Sequence, residues 1–262
     1  MEGYIELPKC TLRYRISGSG PAVVLLHGYL ESLTIWEELT MELEPDYTVL
    51  AVDLPGHGKS ICKEEVIGMD FMADSVSAVM RAVSISKAHL VGHSMGGYAS
   101  LAFAERYPNW LTGLCLLHST PNADTHEKRS ARMADIKLVK EGKKEQIVEN
   151  NIPRLFANHN QQKLMGEINH IKSIARKTSE SGIVGALNGM AQRPDRNHII
   201  EQALFPVTMI FGKHDNLISM EVAQTLEERH RKARTIYLEN SGHMGFIEEP
   251  EQTFSAIKSI LK

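Results

Sequence analysis

Two kinds of hydrophobic run alternate along the chain. Near the start, "YIEL" and "CTLRYRIS" alternate polar and apolar positions, the period-two pattern of edge strands with one wet face. "AVVLLHG" (22–28), "YTVLAVDLPGHGKS" (47–60), "KAHLVGHS" (87–94), "LTGLCLLHST" (111–120) and "PVTMIFGKHD" (206–215) instead carry continuous apolar runs, as expected of strands covered on both faces. "RTIYLENSGH" (234–243) supplies one more strand. Between them, "TIWEELTMEL", "FMADSVSAVMRAV" (71–83), "MGGYASLAFAERY" (95–107), a segment near 219–231 and one from Pro250 have helical spacing. Strands alternating with helices predict an α/β fold, a mostly parallel twisted sheet with helices on both faces.

The alternation breaks once. Between 121 and 204 no strand pattern occurs, and "HEKRSARMADIKLVKEGKKEQIVEN", "QQKLMGEINHIKSIARK" and "GIVGALNGMAQ" read as helices. The expected organisation is a core made of 1–120 and 205–262, interrupted by a helical insertion at 121–204. A chain of 262 residues is long enough for that arrangement.

Composition acts mainly by exclusion. With 29 basic against 32 acidic residues and a net charge of −3, there is no electrostatic footprint for nucleic acid or an anionic membrane. No apolar run approaches a membrane span, and "MEGYIELPKC" lacks the charged and apolar regions of a signal peptide. Cys10, Cys62 and Cys115 are scattered, with no CxxC pair, so neither a disulfide framework nor a cysteine zinc site is expected. No H-E-x-x-H occurs either. The expectation is a soluble cytoplasmic protein without metal or cofactor, acting on a small molecule and engaging neither nucleic acid nor membrane. Its oligomeric state stays open.

The chemistry concentrates where strands end. "VGHSMGG" (91–97) puts Ser94 between a buried strand and a helix, with Gly92 and Gly96 flanking it. This is the G-x-S-x-G elbow, a turn that lifts the serine hydroxyl above the sheet edge and aims helix N-terminal amides at the same space. A serine hydroxyl needs a base, and the base needs an orienting carboxylate. His243 follows the last strand and Asp215 the strand before it. Parallel strands deliver their C-terminal ends to one edge, so Ser94, Asp215 and His243 are expected to converge there. After the central strand, Gly28 lets the loop turn back, so that the Tyr29 amide joins the Met95 amide in a two-donor oxyanion hole.

The neighbouring residues receive plainer readings. His93 packs beneath the elbow, His27 braces the oxyanion loop, and His57 and Asp53 belong to the "DLPGHGKS" turn. His214 is a loop residue. Asp124 is the rival acid near "HSTP", but Asp215 is favoured. Leu30, Met190 and Met244 are expected to line the substrate pocket, and Met95 contacts the site.

The motifs "HG" (27–28), "DLPGHGKS" (53–60), "GHSMGG" (92–97), "GKHD" (212–215) and "SGHMGFIEEP" (241–250) come in the order and spacing of the α/β-hydrolase fold, and the chain resembles a cap-bearing serine hydrolase of that family. Ser219 stands where the family usually has a proline after the acid, a departure confined to the loop. The resemblance implies a carboxylesterase-like enzyme that hydrolyses an ester or related acyl bond, with 121–204 as the cap. Carbon–carbon bond hydrolysis and cofactor-free perhydrolysis (haloperoxidase-type) use the same groups, and a non-catalytic binding module is the alternative from another class. Dehalogenase and epoxide hydrolase chemistry is disfavoured, because those relatives carry aspartate where Ser94 stands.

Overall fold

Among residues 1–261, the part described by this computed structural model, the apolar runs form the centre of one nine-stranded sheet. The elements run β1 (Glu2–Leu7), β2 (Cys10–Ser17), β3 (Ala22–Leu26), α1 (Glu37–Leu43), β4 (Thr48–Val52), β5 (Ile61–Cys62), α2 (Met69–Ala82), β6 (Ala88–His93), α3 (Met95–Arg106) and β7 (Leu111–Leu117). A helical stretch follows: α4 (His126–Lys140), α5 (Lys144–Asn151), α6 (Met165–Ala175), α7 (Glu180–Gln192) and α8 (Asn197–Glu201). The chain then returns to the sheet with β8 (Val207–Gly212), α9 (Met220–Arg229), β9 (Arg234–Leu238), α10 (Gly245–Glu248) and α11 (Pro250–Ile260).

The strand order is β1-β2-β4-β3-β6-β7-β8-β9, with β5 attached to β2. Every pairing from β4 through β9 is parallel, while β1, β2 and β5 pair antiparallel. Burial follows the sequence pattern. β6 and β8 are buried at every position, whereas β1 alternates exposed and half-buried residues, as a two-sided centre and a one-sided edge require. No described helix is long and apolar enough to cross a membrane.

The segment between β7 and β8 contains helices and no strand among the described residues. Its glycine-rich α7 explains how this segment seats on the core. A methyl group on Gly182 would lie 2.0 Å from the Gly56 carbonyl oxygen, and one on Gly189 would lie 1.9 Å from that of Ile67. Only bare backbone lets this face of α7 approach the chain between β4 and α2 so closely. The Ile67 amide also donates to the Gly185 carbonyl at 2.9 Å.

One expectation about cysteines changes. Cys10 and Cys62 are not scattered in space: they are direct partners across the antiparallel β2–β5 pair, and both are buried free thiols.

Candidate active site

Ser94 has φ 49° and ψ −113° between β6 and α3. A positive φ is strained for a residue with a Cβ, so the surrounding structure must hold it. The Ser94 amide donates to the Leu117 carbonyl at 3.0 Å, and the Ser119 hydroxyl donates to the Ser94 carbonyl at 2.8 Å. Both flanking glycines are sterically required. A methyl on Gly92 would sit 2.5 Å from the Gly96 carbonyl oxygen, and one on Gly96 would sit 2.2 Å from that of Leu26. The elbow therefore packs backbone to backbone against the end of β3.

Asp215 follows β8 and His243 follows β9. His243 Nδ1 lies 2.7 Å from Asp215 Oδ2, so that nitrogen carries the proton and donates. His243 Nε2 is buried and has no partner, which leaves a lone pair at the wall of a cavity that Ser94 and His243 both line. Asp215 Oδ1 accepts from the Leu217 amide at 2.7 Å and the Ile218 amide at 3.0 Å. Burial pushes the Asp215 carboxyl up, but His243 and His118 outweigh it and hold it well below the ordinary carboxylate range.

His118 is a neighbour that no motif or periodicity singles out. It follows β7 directly, has φ 46°, and sits 3.6 Å from Asp215 Oδ2 through Nδ1. Its Nε2 accepts from the Gly245 amide at 3.2 Å, so the ring is neutral with its proton on Nδ1. Burial, opposed by Asp215, lowers it to about 4.

Beneath the elbow, His93 has acceptors on both sides. Nδ1 is 3.0 Å from Glu31 Oε2, and Nε2 is 2.9 Å from the His243 carbonyl oxygen. Both nitrogens must donate, which makes the ring an imidazolium. Burial disfavours that charge, but Glu31 more than compensates and raises His93. Glu31 is lowered in turn, its own burial outweighed by His93. Glu31 also accepts from the Gly28 amide at 2.5 Å. This fully buried carboxylate was not anticipated from the sequence, because a lone Glu in a loop carries no periodic signal.

His27 braces the loop after β3: Nδ1 lies 2.8 Å from the Gly28 carbonyl oxygen and Nε2 accepts from the Leu54 amide at 2.9 Å. Asp53 ties its turn by accepting from the Leu33 and Lys59 amides at 2.7 and 2.8 Å. His57 is buried beside them, and burial lowers it to about 3. Asp124 is fully engaged by Arg132 at 2.6 and 3.3 Å and by Arg193 at 2.6 Å, so it has no free oxygen for a histidine. His214 stacks edge-on against His159 at 4.7 Å, away from the cavity wall.

The cavity measures about 310 Å³. The core contributes Tyr29, Glu31, Ser94, Tyr98, Asn216 and His243; the helical stretch contributes Lys128, Arg132, Asp135, Arg154, Leu187 and Met190. A larger hollow of about 460 Å³ beside Met1, Ile16 and Met41 has no histidine in its wall. The amides of Tyr29 and Met95 find no protein acceptor among the described residues. Of the expected pocket residues, Met190 lines the cavity, but Leu30 and Met244 do not. Leu30 takes φ 64° and turns into the core, 1% exposed, while Tyr29 and Glu31 on either side reach the cavity. Met244 is fully buried at the start of α10, its amide donating to Glu248. The Met95 side chain is likewise fully buried and does not line the cavity.

Comparison with known proteins places this geometry in context. A putative 2-succinyl-6-hydroxy-2,4-cyclohexadiene-1-carboxylate synthase from Bacillus subtilis is 29% identical over 257 residues, covering 91% of each chain. A pimeloyl-[acyl-carrier protein] methyl ester esterase from Aeromonas hydrophila is 25% identical over 248 residues, covering 92% of this chain and 95% of the relative. The solved structure of a thermophilic esterase from Thermogutta terrifontis, with malate bound, superposes with a TM-score of 0.93 at 27% identity over 100% of this chain and 98% of that one. The model of the α/β hydrolase fold family matches residues 21–250, and the chain belongs to that family.

Proposed function

We propose that the chain is a serine hydrolase that cleaves a carboxylic ester or related acyl bond. The observation that carries the reading is His243: one ring nitrogen bonded to a buried carboxylate, the other unpartnered beside a strained serine in a shared cavity. That is the division of labour a nucleophile, a base and an orienting acid require.

Ser94 Oγ attacks the substrate carbonyl carbon as His243 Nε2 takes the hydroxyl proton. Asp215 fixes the Nδ1–H tautomer and stabilises the imidazolium. The Tyr29 and Met95 amides donate to the oxyanion; one such donor is typically worth about 10²–10³ in rate. Collapse of the tetrahedral intermediate breaks the carbon–oxygen bond, and the leaving alkoxide receives the proton held by His243. Water, deprotonated by the same nitrogen, then attacks the acyl-enzyme and releases the acid and free Ser94. The helices between β7 and β8 act as the cap over the cavity. The esterases among the similar proteins support this reading.

A second reading rests on the synthase name of the Bacillus relative: the same cavity carries out a reaction other than ester hydrolysis. An ester panel of graded acyl length separates the two. Under the first reading, short p-nitrophenyl esters give an acyl-enzyme mass on Ser94 and turnover falls roughly 10⁴–10⁶-fold in Ser94→Ala. Turnover of esters by a folded Ser94→Ala variant at near wild-type rate overturns it.

A further inference from the structure

The cavity wall carries more positive charge than its own carboxylates answer. Lys128, Arg132 and Arg154 line it from the helical stretch, against Glu31 and Asp135. Glu31 is already spent on His93 and the Gly28 amide. Asp135 accepts only from Asn151 Nδ2, at 3.2 Å, and burial pushes its carboxyl up toward the neutral form despite Asn151 and the nearby arginines.

The three cations differ in their engagement. Arg132 is held on Asp124, but Asp124 also binds Arg193, whose guanidinium lies 3.9 Å over the Tyr98 ring. One buried carboxylate thus faces two guanidiniums, and this group is itself net positive behind the wall. Arg154 has no carboxylate partner among the described residues, and its neighbour Asn216 bonds only its backbone carbonyl. Lys128 Nζ reaches only the Leu217 carbonyl, at 3.4 Å. Tyr29 adds a buried hydroxyl with no partner. Burial raises that hydroxyl, so it stays a proton donor. The buried Tyr29 hydroxyl is a donor that is costly unless a ligand completes it, and the exposed Lys128 and Arg154 side chains at the rim of the same cavity carry charge that no carboxylate pairs.

We propose that the substrate carries a carboxylate besides its scissile acyl bond, and that Arg154 and Lys128, with the Tyr29 hydroxyl, receive it. A guanidinium fork and a carboxylate match in shape, and the charge-assisted bonds between them are about twice as strong as neutral ones. The size of the cavity fits a small molecule, so the class is the monoester of a short dicarboxylic acid. This deepens, and rests on, the acyl-hydrolase reading of the same cavity.

The test compares mono-p-nitrophenyl glutarate with neutral p-nitrophenyl butyrate, alongside melting temperatures with and without glutarate, which needs no turnover to bind. Wild type is expected to favour the glutarate ester by about tenfold or more in kcat/KM. Arg154→Gln lowers that ratio about tenfold, mainly through KM for the anionic ester; Arg154→Glu inverts it. Lys232→Gln, outside the cavity wall, leaves the ratio alone. Glutarate raises the melting temperature of wild type but not of the Arg154→Gln, Lys128→Gln double variant. Cleavage of both esters with no preference, and no glutarate shift, overturns the proposal and leaves the hydrolase reading intact. A glutarate shift that needs Arg154, with no ester cleaved, upholds the anion site and sinks the hydrolase reading.

Discussion

His93 Nε2 lies 2.9 Å from the carbonyl oxygen of His243. A charged ring beneath Ser94 thus holds the backbone of His243, and Glu31 holds that charge from the other side at 3.0 Å. The loop after β3, the elbow and the loop after β9 are joined through one buried ion pair.

That pair fixes a pH dependence. His93 is raised above its ordinary 6.5, so its stabilisation is complete below that value and fades as pH climbs through the raised one. Glu31 is lowered below its ordinary 4.5, so its contribution is present above that value and is lost only in stronger acid. Glu31→Gln should cost about 3 kcal/mol near pH 6, and the cost should shrink as pH rises through the raised His93 value, because breaking a buried pair strands a charge only while His93 is protonated. Urea unfolding over a pH series checks this. A loss that stays the same however far pH is raised would contradict the ion pair.

The strain at Ser94 gives a second expectation. At φ 49° a glycine is at ease where serine and alanine are not. Ser94→Gly should raise unfolding free energy by about 1 kcal/mol over Ser94→Ala, with activity lost in both. Thermal melts of the two variants decide it.

Gly96→Ala should do the opposite. Its methyl group meets backbone at 2.2 Å, and backbone cannot rotate away. A loss of about 2–4 kcal/mol is expected, together with a displaced Met95 amide and lower kcat. A variant of wild-type stability would show that the end of β3 and α3 are not so closely packed.

Two of the ionisable groups around the base fall silent at working pH. Asp215 is held as carboxylate far below neutrality, and His118, lowered to about 4, is uncharged. Neither group should therefore add a limb of its own to log kcat/KM between about pH 5 and pH 9. A limb in that range that disappears in His118→Gln would contradict this. Asp215→Asn should lower kcat roughly 10⁴-fold by releasing the tautomer.

Much of this was legible in the sequence for a physical reason. Continuous apolar runs mark strands buried on both faces, and the residues just past β6, β8 and β9 must then share one sheet edge; Ser94, Asp215 and His243 meet there. What stayed hidden depends on three-dimensional neighbours. Leu30 reads as a pocket residue until its positive φ turns it into the core. Glu31 and His118 look like ordinary loop and strand-end residues until burial pairs them with His93 and Asp215. The charged face of α4 reads as solvated, yet Lys128 and Arg132 line the cavity, because periodicity gives a helix its faces but not what those faces meet.

The proposed mechanism requires Ser94 to be an activated nucleophile. The most direct measurement is reaction with a fluorophosphonate, read by intact mass and peptide mapping, with Ser94→Ala alongside. A single adduct is expected, located on Ser94 and absent from the variant. A folded protein that forms no adduct, or forms one on another residue, would contradict it.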